Sequence, residues 1–131
     1  HTRDGMGINI LLRNYINSII ITKEKSKIVK KWAREMNVVK VYEGSIKKEE
    51  LLPQIRKKFG VLNEEIAYIG DDVNDIGLLK KVGFSACPSD SIFQVKKNVN
   101  YVCSLKGGEG VVREIGDLIL KIKFPSKNKW Y

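Results

Sequence analysis

Glu65-Ile66-Ala67-Tyr68-Ile69-Gly70-Asp71-Asp72-Val73-Asn74-Asp75 decides the fold. An apolar, strand-like run ends abruptly in three crowded carboxylates, and a short helical stretch through Leu78, Leu79 and Val82 follows. The same alternation recurs on both sides. Upstream, Val38 to Tyr42 reads as a strand, and after Gly44-Ser45 a helix from about Lys47 to Lys58 puts Leu51, Leu52 and Ile55 on one face. Pro53 must fall in the first turn of that helix or kink it. Further back, the β-branched run Ser18 to Thr22 precedes a segment with Ile28, Val29, Trp32, Ala33 and Met36 at helical spacing. Near the start, Ile8, Leu11, Leu12, Tyr15 and Ile16 also fit a helix. Downstream, Gly83 to Ala86 and Asn100 to Cys103 are strand candidates. Gly107-Gly108-Glu109-Gly110 then leads into an amphipathic helix carrying Val111, Val112, Ile115, Leu118, Ile119 and Ile122. Alternating strands and helices without hairpin turns predict an α/β fold with a parallel sheet, and ligands gather at the carboxyl ends of such strands. The site is therefore expected at Thr22, Gly44 and Asp71. Residues 124–131 read as a loose tail.

The chain has 131 residues, the usual size of one domain, and 43% hydrophobic content suffices for one core. Lys and Arg number 24 against 15 Asp and Glu, a formal net charge of +9, which favours anionic partners without choosing among them. No apolar run approaches the roughly 20 residues needed to span a bilayer. A cytoplasmic protein with no membrane partner is expected. Cys87 and Cys103 have neither zinc or redox spacing nor the density of a disulfide scaffold, so they read as small buried hydrophobes. The chain opens at His1 and not at Met, which suggests that the numbering starts inside a longer gene product.

Three carboxylates at one strand end raise one another's pKa unless a cation sits among them, and an all-oxygen cluster suits Mg²⁺. The plainer alternative is that Asp71 and Asp72 cap the following helix, although a cap needs only one carboxylate. Thr22 ends a strand, where its hydroxyl could bind an anion or simply cap a helix. Lys48 is either a point charge for a phosphoryl oxygen or one more solvated lysine. The Gly107 to Gly110 segment allows close backbone approach but is no dinucleotide fingerprint, and the chain contains no GxxxxGK[ST] phosphate loop. The lysines Lys23, Lys25, Lys27, Lys30 and Lys31 read as the solvated face of one helix. Terminal His1 supports no catalytic role, and Trp32 and Trp130 lack the aromatic and basic company of a nucleic-acid platform.

Together these segments resemble the haloacid dehalogenase superfamily, and within it the capless group of 3-deoxy-manno-octulosonate 8-phosphate phosphatases. That group is similar to the phosphatase-like C-terminal domain of acylneuraminate cytidylyltransferases. The resemblance rests on Arg3-Asp4-Gly5-Met6-Gly7-Ile8, the strand ending at Thr22, Tyr42-Glu43-Gly44 with Lys48, the segment Gly70 to Asp75, and Gly107 to Glu114, in that order. It implies a three-layer αβα, Rossmann-like sheet in one domain, incomplete at its N-terminus. It also implies a Mg²⁺-dependent phosphatase of a phosphorylated sugar acid, assembled as a homotetramer and binding no nucleic acid. Thr22, Lys48 and Asp75 are the implied catalytic set: Thr22 on the phosphoryl group, Lys48 neutralising its charge, Asp75 orienting Lys48 or the metal's waters. Asp71 and Asp72 are the implied metal residues, directly and through water. Arg3, Asp4, Gly107, Gly108 and Arg113 are implied to shape the sugar-acid site.

Two departures matter. Enzymes of the superfamily attack phosphorus with the first aspartate of a DxD motif, and this chain contains no such motif. The resemblance therefore implies a chain that begins after the nucleophile strand and a flap hairpin, and that is inactive as it stands. The second is Thr22-Lys23-Glu24, which looks more like the acylneuraminate branch and leaves the substrate open between two sugar acids. The rival reading is a non-catalytic domain attached to a cytidylyltransferase. A response-regulator receiver fits less well, because its acidic pair follows the first strand, and a basic nucleic-acid module would need salt-dependent binding to generic oligonucleotides.

Overall fold

Strands and helices alternate along residues 2–126, the span described by the computed structural model. Their order is α1 (Thr2–Arg13), β1 (Ile19–Ile21), α2 (Lys27–Glu35), β2 (Lys40–Tyr42), α3 (Leu52–Phe59), β3 (Ala67–Ile69), α4 (Ile76–Leu79), β4 (Phe84–Cys87), α5 (Phe93–Lys96), β5 (Tyr101–Val102) and α6 (Val111–Lys123). Single 3-10 turns occupy Lys48–Leu51, Asn63–Glu65 and Val73–Asp75. All strand pairings are parallel, in a two-stranded β1-β2 sheet and a three-stranded β3-β4-β5 sheet, as an α/β fold requires. The chain divides into two compact units, one of residues up to Ser45 with those from Gly108 onward, the other from Ile46 to Gly107.

In the first unit, β-branched Ile19, Ile20 and Ile21 pair with Lys40, Val41 and Tyr42. Helices α1 and α6 pack along one another, and glycine lets them approach. A Cβ on Gly7 would lie 3.0 Å from the Arg113 Cα. Ile10, Leu11 and Leu120 form the buried cluster between them, joined by Ile16, Ile119 and Phe124. The helix expected to reach Ile16 stops at Arg13. Tyr15 takes the left-handed conformation (φ 64°), and Ile16 N–H turns back to the Leu11 carbonyl at 2.9 Å, which brings Ile16 onto the cluster. Phe124 likewise corrects the expected loose tail, since its N–H donates to the Leu120 carbonyl at 2.8 Å and it packs on the same cluster. The rest of that tail from residue 127, with Trp130, and also His1, lie outside the described residues.

Helix α2 starts later than its lysines suggest. Ser26 caps it, the hydroxyl accepting from Val29 N–H at 3.2 Å, so Lys23 and Lys25 precede the helix. Its apolar face is also narrower than expected: Ala33 is buried, whereas Ile28 is exposed.

In the second unit, the single helix expected over residues 47–58 is split. Lys48–Leu51 forms a 3-10 turn, and Pro53 falls in the first turn of α3, where its missing N–H costs nothing. Helix α3 ends on Gly60, left-handed at φ 63°. Strand β4 runs between its two neighbours and is the most buried, and Leu79, Cys87 and Val95 form the cluster beneath it with Tyr68, Ile76 and Val99. Both cysteines are buried, and neither is in a disulfide among the described residues. Helix α4 stops before Val82, and the one-turn α5 carries no sequence signal, because four residues are too few for a periodic apolar pattern. Among the described residues, no helix is long and apolar enough to cross a membrane.

Candidate functional site

The centre of the acidic segment is Asp75, 2% exposed. Its Oδ1 accepts from Lys48 Nζ at 2.7 Å and from the Tyr68 hydroxyl at 2.6 Å. Its Oδ2 accepts from the backbone N–H groups of Asp71 and Asp72 at 3.0 and 3.1 Å. One carboxylate thus joins a cation, a phenol and the loop that carries the other two aspartates. Burial opposes its ionisation, but the hydrogen bonds from Lys48 and Tyr68 and the charge of Lys48 outweigh it and hold the carboxyl below the usual range. The Tyr68 hydroxyl is pushed well above its ordinary value, first by burial and then by the negative charge of Asp75.

Local sequence explains this arrangement. Gly70 is buried directly against Asp75, and the 3-10 turn Val73–Asp75 folds the carboxylate back beneath its own strand. Lys48 opens the 3-10 turn Lys48–Leu51, and only 8% of it is exposed, so the solvated-lysine alternative does not hold. Tyr68 lies on β3, its ring packed on the Leu79, Cys87 and Val95 cluster. Sequence reasoning missed it because an apolar residue in a strand carries no functional signal.

Asp71 and Asp72 are exposed. Asp72 is also a cap, its Oδ1 accepting from Val73 N–H at 2.7 Å. The capping alternative therefore holds for Asp72, whose side chain also accepts from the Asp75 backbone N–H in a capping box, and leaves Asp71 unaccounted for. Beside them, Asn74 Oδ1 is buried and has no hydrogen-bond partner. An orphaned acceptor among exposed carboxylates fits a hard cation or its waters. Among the described residues, no group of three or more acidic, cysteine or histidine side chains could enclose a metal, and both oxygens of Asp75 are taken. Asp75 is thus withdrawn from the expected acidic trio, leaving a pair that suits Mg²⁺, an ion that keeps several of its waters.

The remaining sequence candidates belong mostly to the first unit. Thr22 follows β1, where its N–H donates to the Tyr42 carbonyl at 2.9 Å and its Oγ1 accepts from Glu24 N–H at 3.1 Å. Ser26, not Thr22, caps α2, so the capping alternative for Thr22 does not hold. Asp4 is buried in α1, and its Oδ1 accepts from Val112 N–H at 3.1 Å and Arg113 N–H at 3.4 Å. It therefore caps α6 from a neighbouring helix, supplying the side-chain acceptor that Gly110 lacks. Arg113 Nε pairs with Asp117, at 3.0 and 3.2 Å to its two oxygens, and Arg3 is exposed on α1. In the second unit, Gly107 N–H donates to Asp90 Oδ1 at 2.9 Å. Gly108, exposed at φ 79°, is left-handed.

A family model described as haloacid dehalogenase-like hydrolase matches residues 12–115. The chain is 34% identical over 120 residues to the 3-deoxy-D-manno-octulosonate 8-phosphate phosphatase of Salmonella typhi, covering 92% of this chain and 64% of that relative. The corresponding phosphatase of Escherichia coli K12 is 33% identical over the same coverage. The chain thus spans just under two thirds of the length of these relatives. Among solved structures, the cobalt-bound phosphatase of Haemophilus influenzae superposes with a TM-score of 0.89 at 33% identity, over 92% of this chain and 71% of that one. The Moraxella catarrhalis phosphatase, solved in complex with magnesium, phosphate and KDO, gives 0.89 at 32% identity, over 92% and 70%.

Proposed function

This chain belongs to the haloacid dehalogenase-like hydrolase family, and from that premise we propose that it carries the phosphate-handling part of a Mg²⁺-dependent phosphomonoesterase. The substrate is a phosphorylated 2-keto sugar acid of the octulosonate 8-phosphate or acylneuraminate 9-phosphate type, a choice supported by the similarity to octulosonate phosphatases. The 131 residues act as one domain in this reading. The observation that carries it is the buried Lys48–Asp75 pair at 2.7 Å, bonded through Asp75 to the loop of Asp71 and Asp72.

Each residue has a separate task. Lys48 presents its remaining N–H to a phosphoryl oxygen, and the resemblance assigns Thr22 a hydroxyl contact to a phosphoryl group. Asp75 is a positioning residue that holds Lys48 and the Asp71-Asp72 backbone at once. Asp71, and Asp72 through water, would hold Mg²⁺, which when bound supplies charge neutralisation at phosphorus. Arg3, Gly107, Gly108 and Arg113 are the residues that the resemblance assigns to the sugar-acid site, and Asp4 steadies the start of α6. The nucleophile is not among these residues, since the chain has no DxD pair. A homotetrameric state and a cytoplasmic location belong to the same proposal, and sedimentation and cell fractionation test them.

Two measurements test the function. In the 131-residue chain, Mn²⁺ as a probe should broaden the amide signals of Asp71 and Asp72 first, and Asp71→Asn should remove that broadening. Preceded by a DxD-bearing strand, the chain should release inorganic phosphate from the sugar acid phosphate, and the same substitution should abolish release; unimpaired turnover would refute the assignment.

A further inference from the structure

Tyr68 stands where the proposed chemistry needs control over charge. A lysine paired with a fully ionised, otherwise unpartnered carboxylate has its charge largely quenched and is a poor anion binder. Lys48 and Asp75 avoid this, because the carboxylate is shared. Two backbone N–H groups draw on Oδ2, and the Tyr68 hydroxyl draws on the same Oδ1 that Lys48 uses.

We propose that Tyr68 is a positioning residue for phosphate binding: by donating to Asp75 Oδ1 beside Lys48, it takes up part of the carboxylate's charge and leaves the Lys48 ammonium aimed and available. This rests on the reading of Lys48 as the phosphate-binding cation. The geometry supports it at three points. The donation is short, 2.6 Å, against 2.7 Å for Lys48, so the two donors compete for one oxygen on equal terms. The Tyr68 oxygen lies 3.4 Å from Lys48 Nζ, close enough to limit the directions the ammonium can take while leaving an N–H unused. The ring is anchored by the Leu79, Cys87 and Val95 cluster, so the hydroxyl is held in place by the core. Burial and the charge of Asp75 both push the phenol above its ordinary value, which favours the protonated form that donates.

Tyr68→Phe separates this role from packing, because it keeps the ring on its cluster and removes one oxygen. Titration of the 131-residue chain with inorganic phosphate, in the presence of Mg²⁺, should show affinity falling about three- to tenfold, the size of one lost hydrogen bond to a charged network. The ¹⁵N signal of the Lys48 ammonium should shift even without phosphate, while the amide spectrum away from the site stays unchanged. Fluorotyrosine at position 68, a stronger donor of the same shape, should move affinity the opposite way, and it serves equally if the phenylalanine variant folds poorly. A Lys48 signal identical in wild type and Tyr68→Phe, with equal phosphate affinity, overturns the role of Tyr68. A wild-type Lys48 signal that ignores phosphate overturns instead the reading of the site on which it rests.

Discussion

Gly70 and Asp75 are packed so closely that a Cβ on the glycine would lie 2.6 Å from the Asp75 Cβ and 2.9 Å from its carboxyl carbon. The strand end and the buried carboxylate therefore occupy space that only a residue without a side chain leaves open. Gly70→Ala should force Asp75 outward and destabilise the fold by about 1–3 kcal/mol, the usual cost of overpacking. Urea denaturation measures the loss, and a shifted Lys48 ammonium signal would show that the carboxylate has moved.

The Lys48–Asp75 pair invites a double-mutant cycle. Asp75→Asn leaves a buried ammonium without its counter-charge and should cost about 3–5 kcal/mol, and Lys48→Met leaves the carboxylate exposed to the same penalty. The double substitution should cost clearly less than the sum of the two, because each partner causes the other's loss. Additive losses would show that the pair is not coupled.

Asp4 should behave as a capping residue. Asp4→Ala removes the acceptor for Val112 N–H and Arg113 N–H, and about 1 kcal/mol of stability should go with it. Asp4→Asn keeps an oxygen acceptor and should cost less. Amide hydrogen exchange at residues 112 and 113 reads the fraying directly, and protection equal to wild type in the alanine variant would contradict the cap.

Glu43 provides a pH test away from the acidic segment. Its carboxyl is held below the ordinary value of 4.5, chiefly by the hydrogen bond from Lys30 and also by Ser26 N–H. A carboxyl depressed in the folded state adds stability above its unfolded pKa and loses it as pH falls through the folded one. Carbon-detected NMR should therefore place the Glu43 midpoint below 4.5, and Lys30→Met should raise it toward that value.

Much of the molecule follows from local sequence. The alternation of strand and helix, the carboxylates at the end of β3 and the glycines before α6 can be read because each depends on neighbours only a few residues away. Lys48, Asp71 and Asp72 stand out as candidates from type and order, given the resemblance. The partners of each side chain were not. Asp75 meets Lys48 across 27 residues, and Asp4 meets Val112 across 108, so no local pattern distinguishes a metal-facing carboxylate from a buried hub or a cap. Tyr68 shows the limit most clearly. Its place in an apolar strand accounts for its ring, but the function of its hydroxyl depends on what the folded chain brings to one oxygen of Asp75, because hydrogen bonds are decided by distance in space and not along the chain.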